Sequence, residues 1–186
     1  MLFQIVSFLL EVAAGVLAGA CLLRLYMQHQ RIPMSARSGN PLGRFVFALT
    51  DWIVLPLRRL VAAAGRWDLA SLLAAYLIVL AQFSLLWAWM GFGYSYVSVL
   101  MLGVFGVVKI MISGLTGLVI VYAVLSWVQS NNLLADVIER LVAPVLAPIR
   151  RFVPLVGGID LSPLVLLVLL QVALIVLGHM QGIALL

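Results

Sequence analysis

Two charged residues lie deep inside apolar stretches of this sequence and are the first candidates for chemistry. Glu11 falls about nine residues into the first stretch, and Lys109 about twelve residues into a later one. A charge in a bilayer costs about 3 kcal/mol, so such residues pair with each other or line a path for ions. At about 1.5 Å per helical residue their depths differ by roughly 5 Å, which permits a pair. Alternatively, Lys109 extends outward to the membrane surface.

Glycines follow Glu11 on the same face of the predicted helix. Gly15 and Gly19 lie four and eight residues after it. This GxxxG spacing is typical of helices that approach each other closely. The spacing therefore permits close helix packing beside Glu11.

Paired arginines followed by an aspartate occur twice at the same spacing. The residues are Arg58, Arg59 and Asp68 in the first copy, and Arg150, Arg151 and Asp160 in the second. Arginines beside apolar runs indicate contact with anionic lipid headgroups, where each cation contributes about 1 kcal/mol. Each aspartate precedes an apolar run and suits an N-cap that accepts from backbone N–H groups. The other interpretation is that the arginines and aspartates bridge each other, or bind a protein partner or a lipid.

The sequence contains no pattern of a catalytic, metal or cofactor site. Its two histidines are His29, which we place in a loop, and His179, near the end of the last apolar stretch. Two axial haem ligands need histidines inside a bundle on facing helices, and this pattern is absent from the sequence. The single cysteine, Cys21, can form no internal disulfide. With no P-loop, metal spacing or nucleophile–base set, we predict a protein that is not an enzyme and has no cofactor.

The composition predicts that helices in a membrane position these residues. Of the 186 residues 66% are hydrophobic and 9% are charged, whereas a soluble domain carries about 25% charged residues. A spanning helix needs about 20 mostly apolar residues. Four runs qualify, at about 2–26, 69–90, 97–127 and 161–185. The opening MLFQIVSF lacks the positive region of a cleaved signal, so we interpret the first run as a spanning helix.

Positive charge is confined to one side of the predicted membrane protein. Ten of the eleven Lys and Arg residues lie at the end of the first run or in the two long loops: Arg24, Arg31, Arg37, Arg44, Arg58, Arg59, Arg66, Arg140, Arg150 and Arg151. Cytoplasmic loops carry such an excess. We therefore predict a multi-pass protein of the bacterial inner (cytoplasmic) membrane with both termini in the periplasm. The expected direct partner is a bilayer with anionic headgroups, and not nucleic acid.

The chain also repeats itself at an offset of 92 residues. Besides the arginine pairs and aspartates, this offset aligns Asn40 with Asn132, Pro56 with Pro148 and Gly65 with Gly157. Segments 42–60 and 134–152 are too charged to span, so we predict amphipathic helices in the cytoplasmic interface. Prolines kink or end them, and glycines turn the chain back.

The predicted fold is an all-α membrane protein with four transmembrane helices. It is built from two parallel repeats, 1–92 and 93–186, each a spanning helix, an amphipathic helix and a second spanning helix. Each repeat crosses the membrane twice, so the two have the same orientation.

Three motifs resemble the YggT family of small bacterial integral membrane proteins: TDWIVLPLRR and WDLAS in the first half, and LAPIRRFVPLVGGIDLSPL in the second. The resemblance covers nearly the whole chain, although VAAAGRWDLAS lacks the proline and double glycine of the second copy. It implies no established biochemical activity. It implies a link to osmotic-stress tolerance and to gene neighbourhoods of cell division and envelope genes. Plastid relatives are linked to cofactor assembly of a b-type cytochrome and to nucleoid distribution.

Two functional hypotheses follow. The first is a scaffold or assembly factor at the cytoplasmic leaflet, because charge is concentrated at that surface. Its partner would be another membrane protein or a second copy of this chain. The second is an ion channel or transporter-like component in osmotic adaptation, in which Glu11 and Lys109 line or gate a path. Four spanning helices leave little room for a pore unless the chain oligomerises.

Overall fold

The structure is a computed structural model that describes residues 1–35, 39–61, 67–91, 95–128, 133–153 and 160–183. Over these ranges the regular elements are six α-helices: α1 (Leu2–His29), α2 (Pro41–Leu60), α3 (Leu69–Trp89), α4 (Tyr96–Val128), α5 (Leu133–Arg150) and α6 (Ser162–Ile183). The prediction of an all-helical chain is confirmed over these ranges.

Four of the helices, α1, α3, α4 and α6, are long and apolar enough to cross a membrane. They coincide with the four predicted runs, as expected of a multi-pass membrane protein. The longest, α4, has 33 residues, which gives a length of about 50 Å. Because the hydrocarbon core of a bilayer is about 30 Å thick, α4 either tilts or extends beyond it.

The two remaining helices, α2 and α5, are shorter and more charged. Asn40 caps α2, since its side-chain oxygen accepts from the backbone N–H groups of Leu42 and Gly43 at 3.1 and 3.4 Å. Pro41 follows at the first helical position, where a missing N–H costs nothing. Of the two predicted effects of proline, a kink or a helix end, the second does not occur at Pro56, because α2 continues four residues beyond it to Leu60.

In α5 both prolines lie inside the helix. Pro144 and Pro148 fall within Leu133–Arg150, and the helix ends two residues after the second of them. Each proline removes one backbone donor, so the preceding turn of α5 has one hydrogen bond fewer at each position. The helix nevertheless stays packed, because Leu141, Val142 and Leu146 are fully buried on one face.

The interior is divided into three clusters of buried side chains. One joins α1, α2 and α3 around Cys21 and Val54 and also includes Val107 of α4. A second joins α4, α5 and α6 around Val142. A third, which includes Met27 and Leu141, joins the end of α1 to α5. Fewer residues of α1 contact α4 than contact α3.

Several predicted features lie outside the described residues. They are the turns at Gly65 and at Gly157-Gly158, the repeat partner Asn132, and the loop arginines Arg37 and Arg66.

Candidate functional site

The first arginine–aspartate pair ties together the three helices of the first half. Arg58 on α2 donates to both carboxylate oxygens of Asp68, through Nε at 3.4 Å and Nη2 at 2.5 Å. Ser71 on α3 donates its hydroxyl to Asp68 Oδ2 at 2.7 Å. With its amide oriented to match these neighbours, Gln28 on α1 donates to Asp68 Oδ2 at 3.0 Å and accepts from Arg58 Nη2 at 2.6 Å.

Asp68 is 2% exposed, so its protonation state depends on these contacts. Burial raises the pKa of this carboxyl, but the hydrogen bonds from Arg58 and Ser71 and the nearby arginine charges outweigh it. The pKa of Asp68 therefore lies below its ordinary value. The predicted side-chain N-cap at Asp68 is wrong, because its carboxylate makes no cap hydrogen bond and its backbone oxygen accepts from Ser71 and Leu72 instead.

The second pair has the same spacing and the same role in the second half. Arg150 on α5 donates through Nε to Asp160 Oδ2 at 2.9 Å and through Nη2 to the Tyr122 hydroxyl of α4 at 2.8 Å. Asp160 Oδ1 accepts from the backbone N–H of Ser162, the first residue of α6, at 2.9 Å. Here the aspartate both bridges an arginine and satisfies a helix N-terminus.

These contacts shift both members of the second pair. Burial raises the pKa of Asp160, but hydrogen bonds from Ser162 and Arg150 lower it below the ordinary value. Burial lowers the pKa of Arg150, but the contacts with Asp160 and Tyr122 raise it by more. The pKa of Arg150 therefore lies above its ordinary value. Both groups are therefore charged at neutral pH.

The second arginine of each pair behaves differently from the first. Arg59 and Arg151 are exposed, and neither has an ion-pair partner among the described residues. Large apolar side chains accompany them on the surface, including Trp52 on α2 and Phe152 just after α5. The two shorter helices α2 and α5, called the surface helices below, thus present cations and apolar groups together, on α2 itself and just after the end of α5.

Glu11 and Lys109 are brought together by the packing of α1 on α4. Lys109 Nζ lies 3.2 Å from Glu11 Oε1. Both side chains lie on the outside of the bundle, with 58% and 61% of their surfaces exposed. In a membrane such a pair faces lipid or another polypeptide.

Sequence reasoning missed the buried charge of Arg24. This side chain is 2% exposed and donates from Nη1 to Thr50 Oγ1 at 2.8 Å and to Asp51 Oδ1 at 2.7 Å. Its guanidinium carbon lies 4.7 Å from the centre of the Phe47 ring, a cation–π distance. The sequence did contain a signal for this buried charge, because Arg24 is the one arginine inside a predicted spanning run.

A groove between the two halves was also missed. It has a volume of about 990 Å³, and residues of α1 and α4 form most of its wall. Gly15 and Gly117 lie along it, and a Cβ added at either would meet no atom within 4 Å. The GxxxG spacing permits close packing, but Gly15 borders open space, whereas a Cβ on Gly19 would lie 3.7 Å from Ile110 Cγ2 of α4.

His29 lies at one end of this groove and not in the predicted loop, because α1 continues to include it. Its ring packs against that of Trp67, with centroids 4.5 Å apart and a tilt of 37° between the ring planes. Its Nδ1 atom is buried and has no hydrogen-bond partner among the described residues. Within the same residues no three His, Cys, Asp or Glu side chains are grouped so as to hold a metal ion.

Comparison with known proteins identifies relatives over nearly the whole length. The family model CCB3/YggT matches residues 3–89 and 101–181. The chain is 34% identical over 179 residues to an "Uncharacterized protein in proC 3'region" of Vibrio alginolyticus, covering 95% of each chain. It is 34% identical over 167 residues to "Uncharacterized protein YggT" of Escherichia coli strain K12, covering 89% of this chain and 85% of that one. No solved structure matches the chain.

Proposed function

The chain belongs to the CCB3/YggT family, and from this premise we propose that it is a non-enzymatic scaffold or assembly factor of the bacterial inner membrane. It would act at the cytoplasmic leaflet, where α2 and α5 recruit a membrane-protein partner to a surface that also contacts anionic lipid. Both termini would lie in the periplasm, because the arginines gather at the opposite end of the spanning helices.

The observation that carries this proposal is the matched pair of networks at Arg58–Asp68 and Arg150–Asp160. Each network contacts all three helices of its half and fixes a surface helix to two spanning helices. Rigidly held elements present a binding surface at a lower entropic cost than mobile loops do. Surface helices that are held rigidly in this way suit the binding of a partner protein, a role that needs no catalytic side chain.

The same networks support two parallel repeats. Both ion pairs join residues ten apart in sequence, and the offset between them is 92. The third partner differs, since Gln28 of α1 contributes in the first half and Tyr122 of α4 in the second. A parallel repeat places α2 and α5 at the same membrane surface.

The surface that these helices expose supports an interfacial amphipathic position. On α2 the buried residues Val46, Thr50 and Val54 follow one face, while Phe45 and Trp52 are more than half exposed. Apolar rings beside exposed Arg59 suit the boundary between headgroups and acyl chains.

Affinity capture without detergent tests the scaffold. The chain is extracted in polymer-bounded lipid discs, and its partners are identified by mass spectrometry. We expect one stoichiometric membrane-protein partner, which is lost in the Arg59→Glu/Arg151→Glu variant. Arg31→Glu, also exposed but outside α2 and α5, should retain that partner. Equal partner recovery from both variants would contradict a binding role for the surface helices.

A second candidate function rests on Glu11 and Lys109. Their exposure on the bundle surface favours a path for ions formed between copies of the chain, in a role linked by family resemblance to osmotic adaptation. Ion flux into liposomes containing the purified chain tests this candidate. Flux that depends on protein concentration and disappears in Glu11→Gln/Lys109→Met would support it, and the absence of flux in the wild type would remove it.

A further inference from the structure

The groove between α1 and α4 is long enough to hold a lipid chain. Its wall on α1 runs from Gly15 to His29, fourteen residues that span about 21 Å. One leaflet accounts for about half of a hydrocarbon core that is about 30 Å thick. A chain from one leaflet therefore fits along the groove.

The interior of the groove is apolar and lacks side chains at several positions along its length. Added Cβ atoms at Gly15, Gly114 and Gly117 would each meet nothing within 4 Å. Aliphatic side chains such as Leu22 and Leu118 form much of the remaining wall. Apolar cavities of this kind do not hold ordered water, because a buried water needs two to four polar partners. The groove therefore suits a hydrocarbon chain and not solvent.

Polar groups gather at one end of the groove. Tyr26, His29 and Gln30 line it there, at the end of α1, and exposed Arg31 follows directly in sequence. The Tyr26 hydroxyl is already used, since it donates to the carbonyl oxygen of Leu141 at 2.7 Å. His29 Nδ1, in contrast, is buried and has no partner among the described residues. Because Nδ1 is closed to solvent and has no acceptor among these residues, the neutral ring carries its proton on Nε2, the nitrogen through which His29 reaches the groove.

We propose that this groove binds one phospholipid, with an acyl chain along α1 and α4 and an anionic phosphate headgroup that accepts a hydrogen bond from His29. The imidazole donates from Nε2, and the Trp67 ring packs against it at a tilt of 37°. The basic sequence around Arg31 favours an anionic headgroup over a zwitterionic one. This inference is independent of the proposed scaffold, because it concerns the groove and not the outer surfaces of α2 and α5.

Native mass spectrometry of the intact chain released from nanodiscs tests the site. The discs contain equal amounts of phosphatidylglycerol and phosphatidylcholine. We expect one phosphatidylglycerol to remain at a collision energy that removes the other lipids. Gly114→Leu/Gly117→Leu fills the groove and should reduce retention at least tenfold. Gly178→Leu on α6, which is equally open but outside the groove, should leave it unchanged.

The headgroup contact has its own variant. His29→Ala should reduce the retention of phosphatidylglycerol about tenfold, the factor that one hydrogen bond to a charged group supports. The phosphate of phosphatidylcholine can accept the same hydrogen bond, so retention of that lipid in the groove should fall as well. Unchanged retention of phosphatidylglycerol in His29→Ala would overturn the proposal, as would a wild type that retains no phospholipid.

A measurement on the wild type remains decisive if the filled-groove variant fails to fold. Phosphatidylglycerol with a photoreactive group in its acyl chain is crosslinked to the chain in nanodiscs. We expect crosslinks within residues 15–29 of α1 and residues 110–121 of α4. Crosslinks spread evenly over α3 and α6 would show only the lipid that surrounds any membrane protein and would overturn the site.

Discussion

Arg24 Nη1 lies 2.7 Å from Asp51 Oδ1 and joins the first spanning helix to the first surface helix. At the repeat offset of 92, the positions of Arg24 and Asp51 are occupied by Thr116 and Ala143. The second half therefore cannot form this ion pair. Its surface helix is held by apolar packing, by the Arg150 network and by the hydrogen bond that Tyr26 of α1 donates to the Leu141 carbonyl oxygen.

The Arg24–Asp51 contact predicts unequal effects of removing its two members. Asp51→Leu leaves the guanidinium of Arg24 in the core and should cost about 3–5 kcal/mol. Arg24→Met leaves Asp51, whose side chain is 44% exposed, within reach of water or headgroups, so we expect about 1–2 kcal/mol. The free energy of unfolding in lipid–detergent micelles measures both. A larger loss in Arg24→Met would contradict the burial of this charge.

The lowered pKa values of Asp68 and Asp160 predict stability that depends on pH. A carboxyl whose pKa is lower in the folded state contributes stability above its unfolded pKa of about 3.9. That contribution is lost as the pH falls through the lower folded-state value. Thermal unfolding between pH 7 and pH 3 should show this loss.

The aspartate variants identify the source of that loss. Asp68→Asn should lower stability at pH 7 by about 2 kcal/mol, the contribution of hydrogen bonds to a charged group. It should also flatten the pH dependence below pH 5. Asp136→Asn, on the exposed surface of α5, is the matched control. A pH profile in Asp68→Asn as steep as that of the wild type would refute the assignment.

The contact between Glu11 and Lys109 predicts coupling between two mutations. Glu11→Gln and Lys109→Met each leave one charge unpaired in the membrane and should each cost about 2–3 kcal/mol. The double variant removes both charges and should recover most of this loss. Double-mutant analysis of unfolding in bilayers measures the coupling. Additive losses would mean that Lys109 reaches the membrane surface instead.

The distribution of arginines predicts the orientation of the chain. Alkaline phosphatase fused to either terminus should be active, because that enzyme matures in the periplasm. Green fluorescent protein at the same positions should be dark. Insertion of each reporter after Arg44 should give the reverse result. Active phosphatase at Arg44 would reverse the topology and remove the scaffold from the cytoplasmic leaflet.

The close approach of α4 to α3 predicts one position that tolerates no side chain. A Cβ on Gly106 would lie 2.6 Å from Val79 Cγ1 and 2.9 Å from Phe83 Cε2. Gly106→Leu should therefore lower the free energy of unfolding by about 3 kcal/mol, at the upper end for overpacked cores. Gly178→Leu, whose side chain would meet open space, should change it little. Similar effects in the two variants would contradict the α3–α4 packing.

The sequence by itself determined the helical class, the four runs long enough to span and the family. The helical class and the spanning runs are sums over short windows, because hydropathy and the spacing of charges need no knowledge of neighbouring helices. The family follows instead from the resemblance of particular motifs. The sequence placed the ends of the helices less accurately. His29 continues α1 and Pro56 lies inside α2, because packing against other helices outweighs the local preferences of loop and proline.

Only the tertiary structure decided which charges meet and which are buried. Arg24 and Arg58 are both arginines near one end of the bundle, yet the first is enclosed and the second is partly exposed. The rotation of each helix sets this difference, and rotation depends on packing against neighbours. For the same reason the sequence marked Gly15 as a packing face, whereas α1 and α4 separate beside it and leave the groove.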